Sequence, residues 1–221
     1  PASWGRWRRA TLIVAVAVTL PWLLGVGPAG VDAALVVLAR SSGDRVDGRA
    51  VPVGVPAGRG RGDPAARPVR GGDPAVQDQK INSHSKLNCI LASIQATQAG
   101  ADEALMLDPH GFVATCNSTH FFIVRRGEVW TSSGKYCLGG ITRGLVLEIC
   151  REAGIPALEK DFSLTDVYGA DEAFVTGTFA GIVPVRQVDG RKLECCGPMV
   201  DRLQRLYAER IERDVAEQER P

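Results

Sequence analysis

The sequence predicts an α+β fold in which strand pairs form a largely antiparallel sheet or barrel with helices packed beside it. Three observations predict this class. Residues 101–131 contain two successive pairs of apolar runs, and a turn signal separates the members of each pair. Apolar residues at helical spacing precede and follow these pairs. Local strand pairs mixed with single helices favour α+β over a parallel α/β arrangement.

The first helix is predicted in the stretch KLNCILASIQATQAG, which Gly100 ends. Its apolar residues recur at helical spacing and are Leu87, Ile90, Leu91 and Ile94. Two hairpins are predicted next. Residues 102–116 turn at Asp-Pro-His-Gly, and residues 120–132 turn at Arg-Arg-Gly.

A second amphipathic helix is predicted directly after a Gly-Gly pair and ends at Gly154. The pattern that follows predicts a short helix and then a buried strand that ends near Gly177. A hairpin is expected to turn at Asp189 and Gly190, because Asp-Gly suits a two-residue hairpin turn. A charged amphipathic helix closes the pattern.

Composition and charge argue against two classes of function. The 221 residues carry a formal net charge of +1, and no stripe of Lys and Arg alternates with aromatic residues, so no nucleic-acid partner is expected. The six cysteines lack the CxxC spacing of a zinc site, so no metal is expected. Cys89 and Cys150 lie on apolar faces and are predicted to be reduced core residues of a cytoplasmic protein.

A domain boundary is predicted near residue 80. Residues 11–26 form an apolar run after several arginines and resemble an export signal or a membrane anchor. Residues 47–74 are rich in Gly, Pro and Arg and are predicted to be disordered. A membrane location is not expected, and export or anchoring stays the alternative. The chain is predicted to comprise three parts: a segment that is not a native domain at residues 1–79, a folded domain at residues 80–213, and a tail at residues 214–221.

The stretch LGGIT, residues 138–142, places two glycines directly before the second helix. Glycine allows a ligand to approach the backbone closely, and Thr142 is expected to cap the helix. The free N–H groups at such a helix start favour an anion, often a phosphate. An ordinary tight turn with a threonine cap is the alternative.

The motifs together resemble the large domain of the class IV (fold-type IV) pyridoxal-phosphate aminotransferases over residues 81–211. This family includes the branched-chain and D-amino acid aminotransferases and the aminodeoxychorismate lyases, and the branched-chain group is nearest. The matching stretches occur in the family's order: AGADEALMLD, GFVATCNSTHFFIV, GEVWTS, LGGITRG, GADEAFVTGTFAGIVPV and VDGR.

The resemblance implies transamination between an amino acid and a 2-oxo acid in a homodimer with pyridoxal 5'-phosphate as cofactor. The implied phosphate contacts are Ile141, Thr142 and Thr178, and Leu138 would pack on the cofactor ring. The implied neighbours of the substrate carboxylate are Phe179 and Ala180.

Two positions depart from the family pattern. The family's catalytic lysine falls at Asn82 when the sequences are aligned without gaps. Lys80 is therefore the preferred candidate for the catalytic lysine, and Lys86 is the second. The alternative is that both are surface lysines without a catalytic role. The family's glutamate, which pairs with the pyridine nitrogen, is Thr115 here. His120 replaces an asparagine and is expected to be a hydrogen-bonded core histidine or a proton-transfer group.

The family's smaller N-terminal domain has no counterpart in residues 1–79. Two functions therefore remain open: an active aminotransferase, and a catalytically inactive relative that binds the cofactor or a partner. The D-amino acid aminotransferase and lyase branches remain open within the first function.

Overall fold

The computed structural model describes residues 51–54, 73–74, 76–178, 180–193 and 197–218. The strands within these ranges are β1 (Val51–Gly54), β2 (Glu103–Leu107), β3 (Val113–Cys116), β4 (His120–Arg125), β5 (Glu128–Thr131), β6 (Ala157–Glu159), β7 (Glu172–Gly177), β8 (Gly181–Val188) and β9 (Arg191–Lys192). The helices are α1 (Leu87–Gln98), α2 (Ile141–Glu152), α3 (Leu164–Tyr168) and α4 (Pro198–Gln218).

The strands form one mixed sheet in the order β3-β2-β1-β8-β7-β4-β5-β6, with β9 paired to β8. The β2–β3, β4–β5, β4–β7, β7–β8 and β8–β9 pairs are antiparallel. The predicted hairpins are all present, and the last one turns at Asp189 and Gly190, both with positive φ. This combination of a largely antiparallel sheet with helices confirms the predicted α+β class.

Strand β1 lies in a segment that the composition predicts to be disordered, and that part of the prediction is wrong. Val53 pairs in parallel with Glu103 of β2 and with Val188 of β8. Partners on both sides satisfy the backbone groups of β1, which is information that local composition does not carry. The other N-terminal expectations, including the apolar run at residues 11–26, lie outside the described residues.

Alternate residues of β4 enter two different hydrophobic clusters. Phe121 and Ile123 pack with Phe162 on one face of the sheet. Phe122 and Val124 pack on the other face with the buried residues of α2 and α4. This alternation is the expected result of the two-residue period of a strand. His120 begins the same strand in the phase of Phe122, so it belongs to the face that α2 covers.

Helix α1 is present as predicted, but its large apolar residues do not form its packed face. Ala92, Ser93 and Ala96 are buried, and the two alanines pack on Ala104 and Met106 of β2. The small residues allow the helix backbone to approach the strand closely. The exposed apolar side chains of α1 are Leu87, Ile90, Leu91 and Ile94.

Two further observations concern the predicted core cysteines and the end of the chain. Cys150 is buried in the hydrophobic cluster that α2 and α4 form with the sheet, as predicted. Cys89 is only half-buried, at the edge of the cluster between α1 and β2.

Helix α4 continues through Gln218, into the segment predicted to be a tail. Within the described ranges, no helix has both the length and the apolar character needed to cross a membrane.

Candidate functional site

The glycine turn, residues 138–142, leads directly into α2. The helix begins at Ile141, and Gly140 is its N-cap residue with an extended backbone. Among the described residues, no side chain caps this helix end. Thr142 is buried inside the first helical turn, so the prediction that it caps the helix is wrong. The first N–H groups of α2 are therefore available to an anion, which the helix dipole also favours.

His120 joins the glycine turn to the sheet. Its Nε2 atom lies 2.9 Å from the carbonyl oxygen of Leu138, and because a carbonyl only accepts, the imidazole donates. The ring also lies directly against Gly140, where an added Cβ would overlap the ring's Cε1 atom. A Cβ at Gly139 would meet nothing within 4 Å. Packing therefore requires glycine at position 140 and not at position 139.

The end of β7 lies beside this histidine. Thr176 pairs in register with His120, and its buried hydroxyl oxygen has no hydrogen-bond partner within the described part of the chain. At Gly177, an added Cβ would lie 3.4 Å from the methyl group of Thr119. Thr178 follows and is exposed. The structure thus brings the glycine turn and the end of β7 to the two sides of His120.

The remaining predicted contacts on this side are only partly described. Leu138 is half-buried, Ile141 is exposed, and Ala180 is half-buried just beyond Thr178. Phe179 lies outside the described residues.

Thr115, which stands at the position of the family's glutamate, lies on β3 and is half-buried. Its hydroxyl donates to the carbonyl oxygen of Thr119 at 2.9 Å. The proton is therefore already used, and only the lone pairs of this hydroxyl are available to a ligand. Thr115 can accept a hydrogen bond from a ring N–H but supplies no negative charge.

Neither candidate lysine contacts the glycine turn. Lys80 is exposed, and its backbone N–H donates to the Asp78 side chain at 2.9 Å. Lys86 is exposed at the N-cap position of α1, and Asn82 is exposed between the two lysines. Among the described residues, neither ammonium group forms a hydrogen bond or an ion pair with residues 138–142.

A buried arginine adds positive charge behind the turn. Arg143 of α2 is 7% exposed and donates to the Ser132 carbonyl oxygen at 2.8 Å and to the Glu159 carboxylate at 2.6 Å. Burial lowers the pKa of His120 and the Arg143 charge lowers it further, although the bond to Leu138 opposes both. The net lowering of the pKa of His120 favours its neutral form. Sequence analysis missed Arg143 and Thr176, whose surroundings come from distant parts of the chain.

The comparison with known families agrees with this geometry. The model of the family described as "Amino-transferase class IV" matches residues 60–188, more than half of the chain. The chain belongs to the class IV aminotransferase family. The match includes the glycine turn and the end of β7, the two parts of the site that His120 joins.

Class IV aminotransferases of two kinds are among the relatives. A branched-chain-amino-acid aminotransferase of Pseudomonas aeruginosa is 44% identical over 123 residues, which are 55% of this chain and 40% of that protein. A D-alanine aminotransferase of Listeria monocytogenes is 34% identical over 142 residues, which are 63% of this chain and 49% of that protein. The chain thus spans half or less of the length of these relatives.

A solved structure of the same fold contains the cofactor. It is an aminotransferase from Brucella abortus bound to PLP, with a TM-score of 0.66 and 28% identity. The match covers 75% of this chain and 56% of that one. Together with the family match, this structure confirms the class IV aminotransferase-like domain that the motifs predicted.

Proposed function

We propose that this protein is a pyridoxal-phosphate-dependent aminotransferase of the branched-chain type. The observation that carries the proposal is the uncapped N-terminus of α2 next to His120, together with the buried hydroxyl of Thr176, the residue paired with His120. Free helix N–H groups and a buried hydroxyl on either side of one residue suit a phosphate group, because neither has a partner among the described residues. The residues present therefore fit the phosphate of this cofactor.

The chain's own residues would hold the cofactor as follows. The backbone N–H groups of Ile141 and Thr142 would donate to the phosphate, together with the hydroxyl of Thr178. Leu138 would cover the ring, and Thr115 would accept a hydrogen bond from the ring nitrogen. When bound, pyridoxal phosphate acts as an electron sink for the bond that breaks at the Cα atom of the amino acid.

Lys80 is the proposed catalytic lysine, and Lys86 is the second candidate. A lysine amine in this role binds the cofactor covalently and moves a proton to and from the substrate's Cα atom. Lys80 is preferred because it precedes α1, so a shift of two residues in the segment before the helix would bring it to the family's lysine position without a change in helix register, whereas Lys86 is the N-cap residue of α1.

The proposed substrates are an aliphatic amino acid and 2-oxoglutarate. The 44% identity to a branched-chain aminotransferase supports this branch, and the 34% identity to a D-alanine aminotransferase makes that branch the alternative. Phe179 and Ala180 would lie beside the substrate carboxylate. The proposal includes a homodimer, which the resemblance implies, and a cytoplasmic location, which the reduced cysteines predict.

The test uses the purified full chain with pyridoxal phosphate. We expect a visible absorption band that shifts when leucine or valine is added. Borohydride reduction followed by peptide mapping should place the cofactor on Lys80. Lys80→Ala should remove both the band and the label, and Lys86→Ala is the matched control that should retain them. Absence of the band and of any lysine label from the unmodified chain would overturn the proposal.

A second function has its own supporting observation. Both candidate lysines are exposed, and an asparagine occupies the family's lysine position. A catalytically inactive relative that binds the cofactor would show saturable binding of pyridoxal phosphate, no label after borohydride reduction, and no amino transfer. The labelling experiment therefore separates the two functions.

A further inference from the structure

The side chain of His120 touches the glycine turn at two points from the sheet. Its ring donates to Leu138 and lies in van der Waals contact with Gly140. Its backbone is held in β4 opposite Thr176, in a strand paired on both sides with β5 and β7. The position of the turn is thereby linked to the most regular part of the sheet.

The hydrogen bond also determines which groups of the turn remain free. The Leu138 carbonyl oxygen accepts from His120 and from the backbone N–H of Gly140, which lies at 3.0 Å. A carbonyl engaged in this way is not directed at the N–H groups of Ile141 and Thr142. Those N–H groups therefore stay available to a ligand at the helix end.

The contact with Gly140 is equally specific. Gly140 has a φ of −68°, a backbone conformation that any residue adopts, so its conformation does not require glycine. Its side-chain position is filled by the ring of His120. The identities of residues 120 and 140 are therefore coupled by volume.

We propose that His120 is a positioning residue: its imidazole holds the glycine turn in the conformation that exposes the α2 N-terminus, and its bulk is the reason for glycine at position 140. The identity of the ligand at the α2 N-terminus rests on the proposed function, and the positioning role of His120 does not. Burial and the charge of Arg143 favour the neutral ring, whereas the bond to Leu138 favours the charged ring, and in both forms the ring donates to the Leu138 carbonyl oxygen.

The first test is steric and needs no cofactor. Gly140→Ala should lower the thermal unfolding midpoint, because the new methyl group and the His120 ring cannot occupy the same space. The double variant Gly140→Ala with His120→Ala should recover most of that loss. Gly139→Ala is the matched control and should change little. Equal losses in the single and double variants would overturn the coupling between residues 120 and 140.

The second test measures the turn directly. His120→Phe keeps a ring but removes the donor, whereas His120→Gln retains an N–H at similar reach. In the cofactor-free chain, amide hydrogen exchange at Gly140 and Gly144, whose N–H groups donate to Leu138 and Gly140, should become faster with Phe and stay near the original rate with Gln. Unchanged exchange in His120→Phe would overturn the positioning role, whatever the ligand.

The ligand is probed with pyridoxine 5'-phosphate, which lacks the aldehyde and so cannot bond to a lysine. We expect His120→Phe to bind it about tenfold more weakly than the original chain, and His120→Gln to bind it nearly as well; tenfold corresponds to about 1.4 kcal/mol. Failure of the original chain to bind this probe would count against the proposed function. Equal affinity in the original chain and His120→Phe would count against the role of His120 alone.

Discussion

At the residue scale, two buried threonines on the described strands differ in the hydrogen bonding of their hydroxyl groups. Thr131 of β5 donates its hydroxyl to the Phe121 carbonyl oxygen at 2.9 Å. Thr176 of β7 is equally buried, at 1% exposure for each residue, but its hydroxyl has no partner within the described residues. A buried hydroxyl without a partner costs stability, and a ligand can supply that partner.

The two threonines provide a matched pair of variants. Thr131→Val should destabilise the chain by about 1–3 kcal/mol, because it leaves a buried carbonyl without its donor. Thr176→Val should leave the stability of the ligand-free chain unchanged or raise it. Urea unfolding with and without pyridoxal phosphate checks both variants, and the cofactor should stabilise Thr176→Val less than the original chain. A large loss of stability in ligand-free Thr176→Val would contradict this interpretation.

A second prediction at this scale concerns Glu103 on β2. Burial raises the pKa of its carboxyl group to about 7, although hydrogen bonds from Ser118 partly offset the effect. The folded chain thus keeps this proton to a higher pH than the unfolded chain, whose carboxyl titrates near pH 4.5. Because the folded state binds more protons, the free energy of unfolding should decrease as the pH rises from about 4.5 to 7.

Urea unfolding at pH 5 and pH 8 measures this contribution. Glu103→Gln should gain stability relative to the original chain at pH 8 and show a smaller gain or none at pH 5. Glu212→Gln, on the exposed side of α4, is the control and should show no such difference. The same pH dependence in Glu103→Gln and in the original chain would assign the effect to another group.

At the element scale, α4 is fixed to the sheet by two different contacts. Glu172 of β7 is 4% exposed, and its carboxylate accepts the backbone N–H groups of Met199 and Val200 at 3.0 and 2.8 Å. A carboxylate at a helix N-terminus is favoured by both hydrogen bonding and the dipole. Further along the helix, Tyr207 lies against Gly181 at the start of β8. Both contacts hold α4 over the face of the sheet that also carries α2.

The contact at Gly181 predicts an unequal effect of two glycine substitutions. Gly181 and Gly190 have φ values of +63° and +78°, so alanine costs about 1–2 kcal/mol of backbone strain at each. At Gly181 alone, the new Cβ would lie 2.8 Å from the Tyr207 ring, which adds about 1–3 kcal/mol of overpacking. The thermal unfolding midpoint of Gly181→Ala should therefore be lower than that of Gly190→Ala. An equal decrease in the two midpoints would show that Tyr207 moves freely.

At the scale of the whole molecule, β1 joins the β2–β3 hairpin to the rest of the sheet. It pairs in parallel with β2 on one side and with β8 on the other. Pro52 lacks an N–H and lies where the register with β8 shifts, so the regular pairing of β1 on both edges depends on the N–H groups of residues such as Val53. The hydrogen-bonded sheet is therefore continuous only when residues 51–54 occupy this place.

Val53→Pro removes a backbone N–H from this central strand. We expect it to destabilise the chain by about 1–3 kcal/mol for the unpaired acceptor, with additional loss from the proline ring. Val53→Thr keeps the N–H and the branched Cβ atom, and should be close to the original chain. Hydrogen exchange should show that β2 and β3 lose protection in the proline variant, and unchanged protection there would contradict the central position of β1.

The hairpins and helices of residues 86–218 could largely be predicted from the sequence because their signals are local. Apolar spacing indicated α1 and α2, and the turn residues indicated the β2–β3, β4–β5 and β8–β9 hairpins. The three-residue strand β6 was not predicted, because it is too short to show a period. The site residues taken from the family motifs stay predictions, whereas the contacts of His120 with Leu138 and Gly140 had no local signal.

The sequence by itself determined the order and type of most elements, since periodicity and turn chemistry act between near neighbours. Only the tertiary structure decided which side of α1 packs, because the close approach to β2 selected small residues over large ones. It also decided the place of β1, whose backbone partners come from β2 and β8. The tertiary structure also decided that position 140 is a glycine. The ring of His120, which lies twenty residues earlier in the chain, occupies the space of its side chain.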